Sequence, residues 1–401
     1  MKPASQTKPR LLMISHCLPE PCGDHHSARA WQLLQLAQGS HEVDLACSVH
    51  GSVNLQQWRT AASASHRLSM DTAALPLRLA GSVTGLFNAS AATQWQWCHS
   101  LSSQIQSWHD QLGRFDQQYD KVICTHPALW QVAQAVNAAQ HICDMDAAIS
   151  SMAMDHTAGM FTQRIMRNQQ QLNQAVAREC DVMTTSHETM CDTLASQAKC
   201  MYHLPRAVDM NWFAQHTGGQ SASDINASPL LMLHADERQR SGKAIWAWFA
   251  RHVWQKVQQA VPNAQWARPI LRGHQTFDSL RQASVIVSPL DDPDQGQWAA
   301  LQSMAVGRPL IASSSAVASL GVRHGEHLLM SHKPADWVEL CVESLRNASV
   351  RLKLAHAGRA FVQSHCPSVS SHNLFTPARL KSPGVLPTGA RTIMPPVAMA
   401  A

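Results

Sequence analysis

Charge is scarce in this chain. Only 15% of its 401 residues are Asp, Glu, Lys or Arg, and 32 basic against 27 acidic side chains leave a formal net charge of +5. The basic residues are scattered rather than gathered into runs, so the balance suits anionic ligands or an anionic surface weakly and does not single out nucleic acid. No stretch reaches the ~20 consecutive apolar residues that a membrane-spanning helix needs. Before Ser15 and His16 the chain also has too few apolar positions for a signal-peptide core. The expectation is a cytoplasmic protein, at most peripheral at the inner face of a membrane. The eleven cysteines are dispersed and odd in number, unlike the framework of a small disulfide-bonded domain, so reduced thiols are expected. Cys17, Cys22, His25 and His26 crowd one segment, but no second pair at a standard zinc spacing accompanies them, and no metal is expected.

What is present is ordinary globular material: 45% of the residues are hydrophobic, and 401 residues exceed what one core usually organises. Arg10 to Ile14 reads as a buried strand, followed by a loop with Pro19, Pro21 and Gly23. A helix from about Ser27 carries Ala30, Leu33, Leu34 and Ala37 on one face, with Gly39 as its stop, and Glu42 to Ser48 is a second strand. This β-loop-α-β unit opens a doubly wound sheet, but its loop holds one glycine and lacks the GxGxxG dinucleotide fingerprint. Residues 50 to 115 give no clear pattern. Leu75 to Trp108 suits a helix pair whose tryptophans and leucines belong to a core more than to a membrane surface.

Strand signals return at Lys121 to Thr125, His141 to Cys143, Asp181 to Thr185 and Met201 to Leu204, with a long helix through Ile165 to Cys180. Residues 214–229, rich in Gly, Ser, Asn and Asp, read as a linker. A second α/β unit starts at Leu230 to Leu233, with helices at about 244–260, 335–347 and 350–362. The expected organisation is an N-terminal extension (1–9), a first Rossmann-like domain (10–213), the linker, a second Rossmann-like domain (230–365) and a disordered tail (366–401).

The second domain contains the most informative stretch, SVIVSPLDDPDQGQWAALQSMAVGRPLIAS, from Ser284 to Ser313. Val285 to Val287 forms one buried strand, Leu310 and Ile311 begin another, and between them Trp298, Leu301, Gln302 and Ala305 recur at helical spacing. A helix entered from the carboxyl end of a parallel strand points its N-terminal amides at a crevice suited to phosphate. Asp294 lies eight positions before Gln302. Asp294 with Gln297 also fits a capping box, and the two roles are compatible. Arg238, Arg240 and Lys243, after the strand LLMLH, are placed either to meet a diphosphate or to stand in a solvated loop.

Several stretches together resemble glycosyltransferase family four, retaining enzymes of the two-domain GT-B class, and most of all the sugar transferases of bacterial exopolysaccharide clusters. LLMISHCLPEPCGDHHSARAWQLLQLA is similar to the family's first strand and loop, and YDKVICTHPALW to its strand ending in His. LPRAVDMNWF is similar to its PNGVDxxxF segment, and ALQSMAVGRPLIAS to LEAMAxGxPVVAT. The resemblance implies a nucleoside diphosphate sugar as co-substrate, no further cofactor and no bound metal. It also implies a glycan or lipid-linked acceptor. Asp294 and His126 would reach the donor sugar, Gln302 the ribose, and Arg238, Arg240 or Lys243 the diphosphate. Gly23 would admit a phosphate to the backbone, and Asp24, His25 and His26 would face the acceptor or leaving group. The chain departs from the family where Gln302 replaces Glu and where Arg206-Ala207 replaces Asn-Gly. An amide accepts one hydrogen bond and donates another but lacks a carboxylate's charge. The alternative function is therefore a weak or inactive homologue that binds a sugar nucleotide or serves as a partner subunit. A sugar-nucleotide epimerase is less favoured, since no clear acid pair is found for it.

Overall fold

The computed structural model describes residues 8–48, 62–68, 101–112, 118–146, 160–217, 229–236, 240–271, 273–331 and 333–366. The first region contributes strands β1 (Arg10–Ser15), β2 (Glu42–Ser48), β3 (Ala64–Leu68), β4 (Tyr119–Cys124), β5 (Ala138–Asp144), β6 (Val182–Thr185) and β7 (Met201–His203). The second contributes β8 (Leu230–Leu233), β9 (Gln265–Ala267), β10 (Val285–Ser288), β11 (Leu310–Ser313) and β12 (Leu329–Ser331). They form two sheets, ordered β3-β2-β1-β4-β5-β6-β7 and β12-β11-β10-β8-β9, and every pairing between them is parallel.

Parallel sheets need crossover helices, which cover both faces, so their strands are apolar throughout rather than alternating. Leu11, Leu12, Met13 and Ile14 are all fully buried. Leu12 and Ile14 pack with Trp130 and Val176 on one face, while Leu11 and Met13 pack with Leu33 and Leu34 on the other. In the second sheet Ile286 meets Trp298 and Phe277, whereas Val285 and Val287 meet Phe249 and Trp337. Two tandem Rossmann-like layers, as expected, organise the described chain.

The differences from expectation are local. The first helix, His25–Ser40, runs past Gly39, which has an ordinary helical φ, and His41 closes it by donating its N–H to Ala37 O at 2.8 Å. Strand β3 lies in the segment that gave no pattern, because only one of its five residues is buried. From the expected helix pair, residues 101–111 are helical and place Leu101, Ile105 and Trp108 in the first core. The rest of that stretch lies outside the described residues, as do the N-terminal residues 1–7 and the expected tail from 367. The helix Met210–Thr217 extends into the expected linker, and Phe213 is fully buried with Phe277 and Trp298 in the second core. Aromatic burial holds this segment, where composition alone suggested a spacer.

Gly307 ends the Pro293–Val306 helix in the left-handed region, φ 77°, donating its N–H to Met304 O at 3.0 Å. Gly39 has open space around its Cβ position. Gly307→Ala is expected to destabilise the protein by about 1 kcal/mol and Gly39→Ala to stabilise it by up to about 1 kcal/mol. Urea unfolding of both variants checks the opposite signs.

Candidate functional site

The polar groups collect where the strands of both sheets end. After β1 comes His16, after β4 His126, after β5 Asp146, after β6 Ser186 and His187, and after β7 Arg206. From the other sheet come His234 after β8 and the loop Pro289 to Asp292 after β10, leading into the Pro293–Val306 helix. Chain direction in a parallel sheet dictates this convergence, since all carboxyl ends lie on one edge.

Arg206 links the two sides. Its Nη1 donates to Asp294 O at 2.6 Å and its Nη2 to Asp294 Oδ1 at 3.1 Å, while its Nε donates to Ser186 Oγ at 3.3 Å and lies 3.6 Å from Asp146 Oδ2. His187 Nε2 approaches Asp294 Oδ1 to 2.8 Å, without the alignment of a hydrogen bond. Behind Arg206, Asp146 accepts from Ser186 Oγ at 2.7 Å and sits 3.5 Å from Arg29 Nε. Burial pushes the Asp146 carboxyl upward, but Arg29, Arg206 and His187 together hold it well below the usual carboxylate range. Arg29 also donates to both oxygens of Asp144 and to Leu204 O, so its buried charge is fully engaged.

Asp294 is 3% exposed and lies on the first turn of its helix. The helix is capped by Asp292, whose side chain accepts from Gln295 N at 2.8 Å, with Pro293 following. The N-cap is therefore Asp292, two residues before the Asp294 that the capping-box pattern with Gln297 suggested. Pro, having no N–H, suits the first helical position, and the residue before it takes the extended cap conformation. Asp294 is thereby free to meet Arg206.

Gln302, two turns further, is fully buried. Its Oε1 pairs with His234 Nε2 at 2.9 Å, and its Nε2 donates to Gly23 O and to Cys22 Sγ, each at 3.2 Å. Trp298 Nε1 donates to the same Gly23 carbonyl at 2.9 Å. Gly23 thus touches the second domain through its carbonyl, and close packing explains the residue: a Cβ there would lie 2.6 Å from Ser27 Cβ. A ribose reaching Gln302 would have to displace these partners.

The third group is a histidine cluster. His16 lies 5.2 Å from His26 and 5.1 Å from His126 between ring centroids, and His25 lies 3.9 Å from His26. Asp24 caps the first helix by accepting from Ser27 N at 2.9 Å. His126 Nδ1 accepts from Ala128 N at 2.9 Å. Burial, then the neighbouring imidazoles, push His16 and His126 down, the latter to about 4. Burial and His26 do the same for His25, and burial outweighs Asp24 for His26. The cluster is neutral near pH 7, poised to gain protons if an anion enters.

The structure brings together Gly23, Asp24, His25, His26, His126, Asp294 and Gln302. Lys243 is exposed on the helix Arg240–Phe249, which Arg240 opens, and Arg238 lies outside the described residues. Sequence reasoning missed Arg206, His187, His234 and the Arg29–Asp146 pair as site residues. A lone Arg in a hinge where the resembled family has Asn was the available signal for the first. The spacing of Asp144 and Asp146 just past a strand was the signal for the last.

No protein-family model matches the chain, and no curated protein does. Solved structures share its fold. Anabaena HepE in complex with UDP-glucose is similar over 90% of this chain and 97% of its own, at 12% identity and a TM-score of 0.55. TarM covers 92% of this chain and 97% of its own at 7% identity, TM-score 0.56. A Listeria monocytogenes protein described as a UDP-N-acetylglucosamine 2-epimerase covers 90% and 94% at 11% identity, TM-score 0.52. These likenesses define the chain as a two-domain GT-B fold with a cleft between its Rossmann-like halves.

Neutral burial of His126 carries a pH dependence. Its folded value, about 4, is below the unfolded 6.5, so the unfolded chain takes up the proton first as pH falls. Stability is full above about pH 6.5 and declines below it, by about 2 kcal/mol between pH 7.5 and pH 5 from this residue alone. Urea unfolding at the two pH values should show a markedly smaller decline in His126→Asn.

Proposed function

We propose that the chain binds a nucleoside diphosphate sugar in the cleft between its domains and transfers the sugar, with retention, to a glycan or lipid-linked acceptor in polysaccharide synthesis. The observation that carries this reading is the convergence on one cleft of a cation, Arg206, a neutral histidine cluster and the acid Asp294, all from strand ends of a GT-B fold. HepE, of the same fold, has been crystallised with UDP and with UDP-glucose.

In this reading the diphosphate takes Arg206 from Asp294, and Arg206 with Lys243, Arg238 or Arg240 stabilises the negative charge that grows as the glycosidic bond breaks. Asp294, once released, and His126 accept hydrogen bonds from sugar hydroxyls. Gly23, Asp24, His25 and His26 line the leaving-group and acceptor side. Gln302 takes a ribose hydroxyl on giving up the Gly23 carbonyl. The domain limits 10–213 and 230–365 belong to the same proposal, as does a location in the cytoplasm or at the inner membrane face. No helix among the described residues is long and apolar enough to cross a membrane.

A second reading, a sugar-nucleotide-binding or partner subunit with little catalysis, is favoured by one observation: the Gln302 amide is spent on Gly23, Cys22 and His234. The two are separated by thermal unfolding with UDP-, GDP- and ADP-sugars, followed by assay of nucleotide release with glycan acceptors. One sugar nucleotide is expected to raise the melting temperature by several degrees, as a ligand at about a hundred times its Kd stabilises by about 2.7 kcal/mol. A shift with nucleotide release supports the transferase, and a shift without it the binding subunit. No shift with any of them overturns the cleft as a nucleotide site.

A further inference from the structure

A separate pocket of about 410 Å³ opens at the carboxyl edge of the second sheet, on the face opposite the Pro293–Val306 helix. It lies between the helices Arg240–Phe249 and Pro334–Arg346, which supply Ile245, Trp248 and Trp337, and the ends of β10, β11 and β12, near Asp291, Ser313 and Ser331. Pro289 and Asp291 lie in the loop that also borders the candidate site, but none of the lining residues takes part in the Arg206 network, the histidine cluster or the Gln302 contacts.

Its chemistry is specific. The indoles of Trp248 and Trp337 meet edge to face, at 84° and 6.3 Å between centroids, and make an aromatic corner. Trp337 is only 4% exposed, yet its indole N–H has no hydrogen-bond partner among the described residues. That N–H is not among the unpartnered polar atoms sealed from solvent, and it belongs to a residue that lines a pocket, where a ligand oxygen can meet it. Asp291 is fixed on one side only: its Oδ1 accepts from Ser313 Oγ and, at 2.8 Å, from Ser315 Oγ. Its Oδ2 has no bond to a described residue. Among the described residues lining the pocket, Asp291 is the sole acidic or basic side chain, which disfavours a phosphate there.

We propose that this pocket is a carbohydrate subsite that takes one neutral hexopyranose unit, apart from the nucleotide cleft. A pyranose has an apolar C–H face, which suits an indole, and a rim of hydroxyls. Adjacent hydroxyls donate to Asp291 Oδ2, and one accepts from the Trp337 N–H. The volume is within the range of small-ligand sites, with an apolar wall and few convergent polar groups. Such a subsite would hold a glycan at the enzyme surface and does not require the cleft to bind a nucleotide.

The test is saturation-transfer NMR with methyl glucoside, methyl galactoside and cellobiose, titrated to about 50 mM because a single-ring site binds weakly. At least one probe is expected to bind saturably, and Trp248→Ala and Asp291→Asn are each expected to weaken it about tenfold or more. Trp248→Phe, which keeps a ring and the packing, retains most of the binding, and melting curves verify that all variants are folded. UDP leaves the sugar signal unchanged. Absence of saturable binding by every probe, unchanged binding in both Trp248→Ala and Asp291→Asn, or displacement by UDP overturns the subsite. Failure of the cleft to bind nucleotides leaves these outcomes unaffected.

Discussion

The guanidinium of Arg206 is bound between carboxylates of two sheets, Asp146 at the end of one and Asp294 beside the end of the other. Removing such charges from water costs several kcal/mol per ion, so the network is better understood as fixing geometry than as adding stability. Two arginines, Arg29 and Arg206, face three carboxylates, Asp144, Asp146 and Asp294. His187 makes its approach at Asp294. In the proposed reading, an incoming diphosphate competes with Asp294 for Arg206 and leaves a displaced Asp294 beside the sugar. The same contact joins the ends of the two sheets, and in the proposed reading it also reserves the groups for a charged donor.

The helix carrying Asp294 translates sequence into this geometry. Pro293 and the Asp292 cap fix where it starts, and Gly307 fixes where it stops. Trp298 and Gln302 fall one turn apart on the face turned to Gly23, so both can reach the same carbonyl. With Glu in place of Gln302, Gly23 O would keep the Trp298 N–H but lose the amide donor, and a buried charge would need a different partner. The substitution that separates this chain from the resembled family is thus matched to a domain contact, whatever it means for the ribose.

Much of this was legible in the sequence. Buried parallel strands announce themselves as continuous apolar runs, which is why β1, β2, β8 and β10 were recognisable. Strand β3 (ASHRL) was not, because an edge strand with few buried residues carries no such run. Of the candidate site, His126, Asp294 and the loop at Gly23 to His26 were singled out from the sequence. Its partners were not. Arg206, His187 and His234 act through contacts with residues 88, 107 and 68 positions away, respectively. No local period encodes a pairing at that separation. The helical cap was misplaced for a related reason: two acids in DDPD each satisfy a capping rule, and only the fixed φ of Pro293 decides between them.

Calorimetric titration of UDP into the wild-type protein and into Arg206→Ala is the most direct measurement of whether the cleft meets a diphosphate through this residue. The wild type is expected to bind, and Arg206→Ala to bind at least about tenfold more weakly while remaining folded, as loss of a charge-assisted contact implies. Equal affinity in the two proteins would contradict the assignment of Arg206 as the diphosphate's partner.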